Sequence, residues 1–194
     1  MNHSFTGYRW RQAGQYLFMT GQTVSHVVRL SGMRAWNIEQ IRRGNRARKD
    51  DMQKFATAVR SLLPAEYRNF NIDDLPVDNS RAPPVYSFPN MVRWPNATET
   101  MRTVYSTWAE AGREADIAVT QTKLMSSESP MSHYSAVRLI HRINRWRDVQ
   151  NNSRTEKLPM IHPLEVLHEP KSMRPFWVVL MEANEKPIEP KPFG

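Results

Sequence analysis

Two short amphipathic segments that meet at a glycine constrain the fold of this chain more than any other feature. From position 24 to position 46 the sequence reads VSHVVRLSGMRAWNIEQIRRGNR. Gly32 stands where a tight or left-handed turn is needed, so two helices are expected to meet there at a steep angle. The apolar residues that helical spacing turns toward a common core are Val27, Leu30, Met33, Ile38 and Ile41.

Further amphipathic segments flank this pair of helices. Upstream, YRWRQAGQYLFM predicts one more helix. Downstream, apolar residues again recur at helical spacing, at Met52, Phe55, Ala56, Val59 and Leu62. We therefore predict four to five short helices around one small core in residues 1–72.

The positive charge of the chain is concentrated in its first third. Residues 1–62 carry eleven lysines and arginines against three acidic residues, whereas the remaining 132 residues carry sixteen of each sign. The whole net charge of +8 therefore belongs to the helical segment described above. Such a concentration is typical of a module that meets a polyanion.

Prolines suggest a boundary after this segment. Five prolines fall between positions 76 and 95, and proline removes a backbone donor and disfavours helix in the residue before it. We therefore predict a semi-extended linker over residues 73–95, and a fragment ending at residue 72 is expected to fold by itself. Residues 96–194 form the second predicted domain, with a Pro-rich tail.

The second domain is predicted to be mainly helical. Asn96 with Glu99 is a helix-start signal, and apolar residues then recur at helical spacing as far as Ala111. Ser129-Pro130 starts another helix, whose buried side is predicted to comprise Ala136, Leu139, Ile140, Ile143 and Trp146. The run FWVVLM, at positions 176–181, predicts a strand, so the fold class is mainly α with a small strand element.

The composition excludes several classes of chemistry and compartment. The chain has no cysteine, which rules out disulfides, thiolate nucleophiles and cysteine-bound metals and fits a reducing cytoplasm. The first residues lack the apolar core of a signal peptide, and no window approaches the ~20 apolar residues of a membrane span. A soluble, cytoplasmic protein is expected.

Enzyme chemistry finds no support in the sequence. The segment HPLEVLHE supplies histidines and carboxylates, but His162 and His168 are six residues apart and do not share a helix face, so we predict neither a metal nor another cofactor. The serines of LMSSESPMSH lack a nearby lysine in a glycine-punctuated β framework, which argues against a serine-lysine peptidase. Arg138, Arg142 and Arg145 line one helix face and are expected to pair locally with acids such as Asp148.

The N-terminal segment resembles the lambda-repressor-like, or Xre-type, helix-turn-helix family. The resemblance lies in VSHVVRLSG as the first helix and turn, MRAWNIEQIRRG as the recognition helix, and DDMQKFATAVRSLL as the next helix. It covers residues 22–63. Two positions depart from the family pattern: Val28 replaces a small alanine, and Val24 replaces a glutamine that often contacts a phosphate.

The resemblance implies a DNA-binding surface on helix 34–43. The start of this recognition helix would enter the major groove, and the base-reading residues it implies are Arg34, Trp36, Asn37 and Gln40. Trp36 has a second interpretation, as an aromatic residue packed against protein. The end of the helix and the following loop would grip phosphates through Arg42, Arg43, Asn45, Arg46, Arg48 and Lys49.

The function expected from these observations is that of a sequence-specific transcriptional regulator that binds double-stranded DNA as a homodimer. Residues 96–194 are then expected to mediate dimerisation or contact with a protein partner. An alternative is a DNA- or RNA-binding adaptor or structural subunit of a larger nucleoprotein complex. A third interpretation, an enzyme with a metal site around positions 162–169, would be tested by metal analysis of the purified protein.

Overall fold

The computed structural model describes residues 7–70 and 86–185, and these residues are mainly helical. Across them, none of the helices combines the length and apolar character that a membrane crossing requires. The N-terminal part contains α1 (Ala13–Met19), α2 (Val24–Ser31), α3 (Ala35–Arg42), α4 (Lys49–Leu62) and a 3-10 turn (Ala65–Tyr67). The C-terminal part contains β1 (Met91–Val92), α5 (Ala97–Arg102), α6 (Trp108–Glu114), α7 (Val119–Ser126), β2 (Met131–Ser132), α8 (His133–Asn151), α9 (Pro163–Val166) and α10 (Phe176–Glu185).

The paired helices α2 and α3 form where the sequence predicts them. The Thr23 hydroxyl accepts a hydrogen bond from the His26 amide at 3.2 Å and caps α2. Gly32 ends α2 with a φ of 66°, a left-handed conformation that glycine adopts without steric cost. The inner face is fully buried at Val27, Ile38 and Ile41, but Leu30 is 52% exposed, so the prediction that it faces the core is wrong.

The first core is completed by α1 and α4. Met52, Phe55, Ala56 and Val59 are buried along one face of α4, as helical spacing predicts. Trp10 lies just before α1 and packs edge-on against Phe55, with ring centroids 5.8 Å apart. These four helices and the short 3-10 turn confirm the predicted four- to five-helix arrangement.

The predicted helix from position 96 to Ala111 is interrupted in the structure. It ends at Arg102, and a new helix, α6, begins at Trp108. The interruption has a local cause, because the Thr107 hydroxyl accepts from the Glu110 amide at 3.2 Å while the Glu110 carboxylate accepts from the Ser106 amide at 2.9 Å. This pair of bonds resembles a capping box and starts a helix of its own.

The long helix α8 begins three residues later than the Ser129-Pro130 signal predicts. Met131 and Ser132 instead pair with Val92 and Met91 in a two-stranded antiparallel sheet. The buried side of α8 contains Ala136, Leu139, Ile140 and Ile143, as predicted, whereas Trp146 is only half-buried.

The strand predicted at positions 176–181 is wrong, because these residues form the first part of α10. Phe176 and Val179 are buried and three residues apart, while Trp177 and Met181 are exposed and four apart, which is helical periodicity. A short apolar run does not distinguish a strand from a buried helix by pattern alone. The small strand element of the fold is the pair of β1 and β2.

The two predicted domains share one hydrophobic core. Phe18 of α1 stacks on Phe88 at 4.7 Å and on His133 at 4.8 Å, and meets Phe176 edge-on at 5.1 Å. Residues 86–95, which the sequence assigns to the linker, contribute strand β1 and buried aromatic rings, including Trp94. Residues 71–85, which hold most of the predicted linker, and the tail from residue 186 lie outside the described residues. This shared core argues against independent folding of residues 1–72.

Candidate nucleic-acid interface

Helix α3 presents one face to solvent and buries the other. Arg34 occupies its N-cap position and is exposed, and Trp36 is 69% exposed in the first turn. The opposite face is anchored by Ile38 and Ile41. Trp36 therefore does not pack in the core of the chain, and its large apolar surface is available to a base or to another molecule.

The other two predicted base-reading residues are half-buried. Asn37 lies one position after Trp36, and Gln40 lies one turn further along α3. The Asn45 side-chain Nδ2 donates a hydrogen bond to the Gln40 side-chain carbonyl oxygen at 2.6 Å. Bidentate recognition of adenine by Gln40 would use this carbonyl oxygen and therefore requires Asn45 to move.

The end of α3 separates two arginines that the sequence places side by side. The Arg42 Nε donates to a Glu39 carboxylate oxygen at 2.7 Å, and the Arg43 Nε lies 3.7 Å from the same oxygen. The Arg42 side chain is 24% exposed and lines a cavity shared with α8, whereas that of Arg43 is 59% exposed. Arg42 is thus set apart from the exposed start of α3, and Glu39 is a neighbour that the predicted interface did not include.

The cavity beside Arg42 has a volume of about 270 Å³ and lies between α1, the start of α2, the end of α3 and the start of α8. Its wall includes the buried His133, whose Nδ1 lies 3.3 Å from the Asn90 carbonyl oxygen. Burial lowers the pKa of His133 to about 4, and the positive charge of Arg42 acts in the same direction. The imidazole is therefore neutral at physiological pH.

The basic loop after α3 is joined to the segment that precedes α1. The backbone groups of Tyr8 and Ala47 exchange two hydrogen bonds, of 2.9 and 3.0 Å, in an antiparallel bridge. The Lys49 ammonium group lies 6.0 Å from the centroid of the Tyr8 ring. Arg48 is exposed at the N-cap of α4, and Arg46 is half-buried in the loop. Sequence spacing gave no signal for this pairing, because Tyr8 and Ala47 are 39 positions apart.

Within residues 7–70 and 86–185, the other charged segments are arranged differently. Arg138 pairs with Asp116, 2.7 Å away in the loop after α6, rather than with Asp148. His162 accepts a hydrogen bond from the Leu164 amide and packs edge-on against Tyr67. In the part of the chain that the structure describes, histidine and acidic side chains do not form a group of three or more able to hold a metal ion.

No protein-family model, curated protein or solved structure matches this chain. A functional interpretation therefore depends on the geometry of α2, α3 and the loop that follows them.

Proposed function

We propose that this protein is a cytoplasmic, sequence-specific transcriptional regulator that binds double-stranded DNA by placing α3 in the major groove. The observation that carries the proposal is the two-sided character of α3. Arg34 and Trp36 are exposed at its start, while Ile38 and Ile41 are fully buried on its other face. A recognition helix needs both features, because the buried face holds it rigidly and the exposed start reaches base edges.

The base-reading roles follow from side-chain chemistry. Arg34 is suited to a bidentate contact with guanine O6 and N7, worth ~1–3 kcal/mol of discrimination. Trp36 supplies an apolar surface for a thymine methyl group. The side-chain amides of Asn37 and Gln40 suit bidentate recognition of adenine, and Gln40 would make this contact after release of its bond to Asn45.

Phosphate contacts are assigned to the loop after α3. Arg43, Asn45, Arg46 and Arg48 lie between α3 and α4, and Lys49 is the first residue of α4. Arg42, the last residue of α3, is proposed as a further phosphate contact. The slope of log K against log salt is negative, and each neutralised phosphate makes it steeper by about 0.9. Replacing Arg46, Arg48 and Lys49 together by glutamine should therefore make the slope shallower by up to about 2.7. An unchanged slope would show that the loop does not face nucleic acid.

A homodimer is proposed because one recognition helix provides too little affinity to compete with genomic DNA. Two copies would read half-sites about one helical turn apart. The C-terminal part would supply the contact between the copies or with another protein.

The test is selection of bound sequences from a randomised duplex pool by the full-length protein at moderate salt. We expect enrichment of a two-fold symmetric site. Arg34→Ala and Gln40→Ala should each relax preference at one or two base positions while nonspecific binding stays nearly intact. Arg113→Ala, at an exposed position of α6, removes one charge elsewhere and should leave the selected sequence unchanged. Equal weakening on all sequences by the α3 variants would assign them to the DNA backbone.

An adaptor or structural subunit of a nucleoprotein complex is a second candidate. One observation favours it: Met173, Trp177 and Met181 are exposed large apolar side chains in and just before α10. Trp177 and Met181 are four positions apart and share one face of α10, and an exposed apolar face suits contact with another protein. Retention of duplexes without enrichment of any sequence would support this candidate over the regulator.

A further inference from the structure

The cavity between α1, α3 and α8 combines an apolar wall with a charged one. Its volume of about 270 Å³ exceeds the ~150 Å³ of a cavity that holds benzene and falls below the ~300–1,000 Å³ of pockets for drug-sized ligands. A molecule of one or two fused rings therefore fits it. The apolar wall contains Leu17, Phe18 and Phe88, which suit contact with such rings.

The charged wall contains an ion pair that is accessible from solvent. The Arg42 and Glu39 side chains line the cavity and are 24% and 31% exposed. The Arg42 Nε donates to a Glu39 carboxylate oxygen at 2.7 Å, and the guanidinium group has four further N–H donors on its two Nη atoms. The pair therefore presents N–H donors next to carboxylate acceptors at the edge of the cavity.

The ionised groups in the cavity wall balance each other. Glu39 carries one negative charge and Arg42 one positive charge, while burial lowers the pKa of His133 to about 4 and keeps its imidazole neutral. Burial also raises the pKa of the Tyr134 phenol, so this group is protonated at physiological pH. An uncharged ligand is favoured, because a charged one would lose its hydration without meeting a net opposite charge.

Hydrogen-bond geometry restricts the ligand further. The ion pair is complemented by a molecule that offers a C=O acceptor to the guanidinium group and an N–H donor to the carboxylate from the same edge. An open-chain secondary amide holds these two groups on opposite sides, because it strongly prefers the trans form. A ring forces the cis form, so a lactam carries both groups on one edge.

We propose that this cavity binds an uncharged planar lactam of one or two fused rings, whose amide edge pairs with Glu39 and Arg42, and that the ligand competes with DNA for Arg42. The competition rests on the proposed function, in which Arg42 contacts a phosphate, whereas binding of the lactam does not. The bound lactam holds the guanidinium group in the cavity, so the DNA loses one phosphate contact. By linkage, DNA weakens the binding of the lactam by the same factor.

The probe is isoquinolinone, which has two fused rings and a single lactam edge. Its binding to the full-length protein is measured by isothermal titration calorimetry, and amide NMR signals are followed in parallel. We expect saturable binding that shifts the signals of Ser25, Glu39 and Arg42. N-methylisoquinolinone keeps the rings and the carbonyl group but lacks the N–H donor, so it should bind more weakly by about tenfold or more.

Two variants test the location of the site. Ser25 is exposed in the first turn of α2 and lines the cavity, so Ser25→Trp should obstruct the opening and abolish binding of isoquinolinone. Ser126→Trp, at an exposed position of α7, is the matched control and should bind as the wild type does. Glu39→Gln removes the charged acceptor and should weaken binding by about tenfold. Should Ser25→Trp unfold, as judged by circular dichroism, wild-type affinity in Glu39→Gln would overturn the proposal.

Duplex binding over a range of salt concentrations tests the competition. Saturating isoquinolinone should make the slope of log K against log salt shallower by about 0.9. An unchanged slope despite saturation would overturn the competition. Absence of saturable binding, equal binding of the N-methyl derivative, or wild-type affinity in a folded Ser25→Trp would overturn the lactam site. Wild-type protein that binds isoquinolinone but no duplex would refute the proposed function, and with it the competition, while the lactam site would stand.

Discussion

The close approach of α1 to the end of α3 predicts a specific effect of adding one methyl group at Gly14. A Cβ built on Gly14 would lie 2.7 Å from the Arg42 carbonyl oxygen and 3.7 Å from its carbonyl carbon. Real Cβ atoms do not approach an oxygen so closely, and the obstacle is backbone rather than the end of a flexible side chain. Gly14→Ala must therefore push the last turn of α3 away from α1.

The size of this effect follows from two opposing terms. Overpacking of a close contact costs ~1–3 kcal/mol, and replacing glycine by alanine within a helix returns up to ~1 kcal/mol. The expected net loss in the free energy of unfolding is about 1–2 kcal/mol. In a chain of 194 residues, about 1 kcal/mol corresponds to a Tm change of ~2–4 °C, so a decrease of about 2–8 °C is expected. Thermal and denaturant unfolding measure it directly.

Gly32→Ala is the matched control for this prediction. A Cβ at Gly32 would meet no described atom within 4 Å, so its cost is the left-handed backbone conformation alone, ~1–2 kcal/mol. Both variants should be destabilised, but only Gly14→Ala should change the NMR signals of the last turn of α3. If Gly14→Ala is as stable as wild type and leaves those signals in place, the close approach of α1 and α3 is refuted.

Three further predictions concern groups that the tertiary structure buries. The buried Asn144 side chain donates to the Ile161 carbonyl oxygen at 2.7 Å and accepts from the Ile161 amide at 2.8 Å. Asn144→Leu leaves these two backbone groups unpaired and should lower the free energy of unfolding, measured with denaturant, by ~2–5 kcal/mol. A loss below about 1 kcal/mol would contradict these hydrogen bonds. The pKa of His133 is lowered from 6.5 to about 4, so between these pH values the unfolded state binds more protons than the folded state. The free energy of unfolding should therefore fall by about 3 kcal/mol as the pH decreases through this window. His133→Gln should lose that part of the pH dependence, and a pH profile identical to that of the wild type would refute the prediction. Phe18→Ala removes the aromatic contacts across the shared core and should lower the free energy of unfolding by ~3–5 kcal/mol. A fragment of residues 1–72 loses the same contacts and should not unfold cooperatively. A sharp melting transition of the fragment would contradict this prediction.

Local sequence patterns were sufficient for α2, α3 and α4, whereas the segment predicted as one helix from Tyr8 is helical only from Ala13, and Tyr8 itself lies in a backbone bridge. The start of α2 depends on the neighbouring Thr23 hydroxyl, and its end depends on Gly32, so both signals lie within the segment itself. The buried faces of α4 and α8 follow from helical spacing, which is also local. These elements are recognisable because the residues that stabilise them are close together in sequence.

Patterns failed where the deciding partner is distant or where two signals compete. The apolar run at Phe176 is compatible with strand or helix, and its contact with Phe18 across the shared core is invisible in the local pattern. The exposure of Leu30 has the same origin, because the helical face that is buried depends on where α4 packs. The interruption before α6, in contrast, had a readable signal in Thr107 and Glu110 that the longer apolar periodicity obscured.

The candidate site divides in the same way. The sequence by itself determined that positive charge is concentrated in the first third of the chain and that α3 has one apolar and one polar face. Only the tertiary structure decided that Trp36 is exposed, that Glu39 draws Arg42 toward a cavity beside α8, and that the backbone bridge places Arg9 next to the basic loop. The physical reason is that composition and periodicity depend on neighbours within a few residues, whereas burial, ion pairing and strand pairing depend on groups brought together from distant positions by the core.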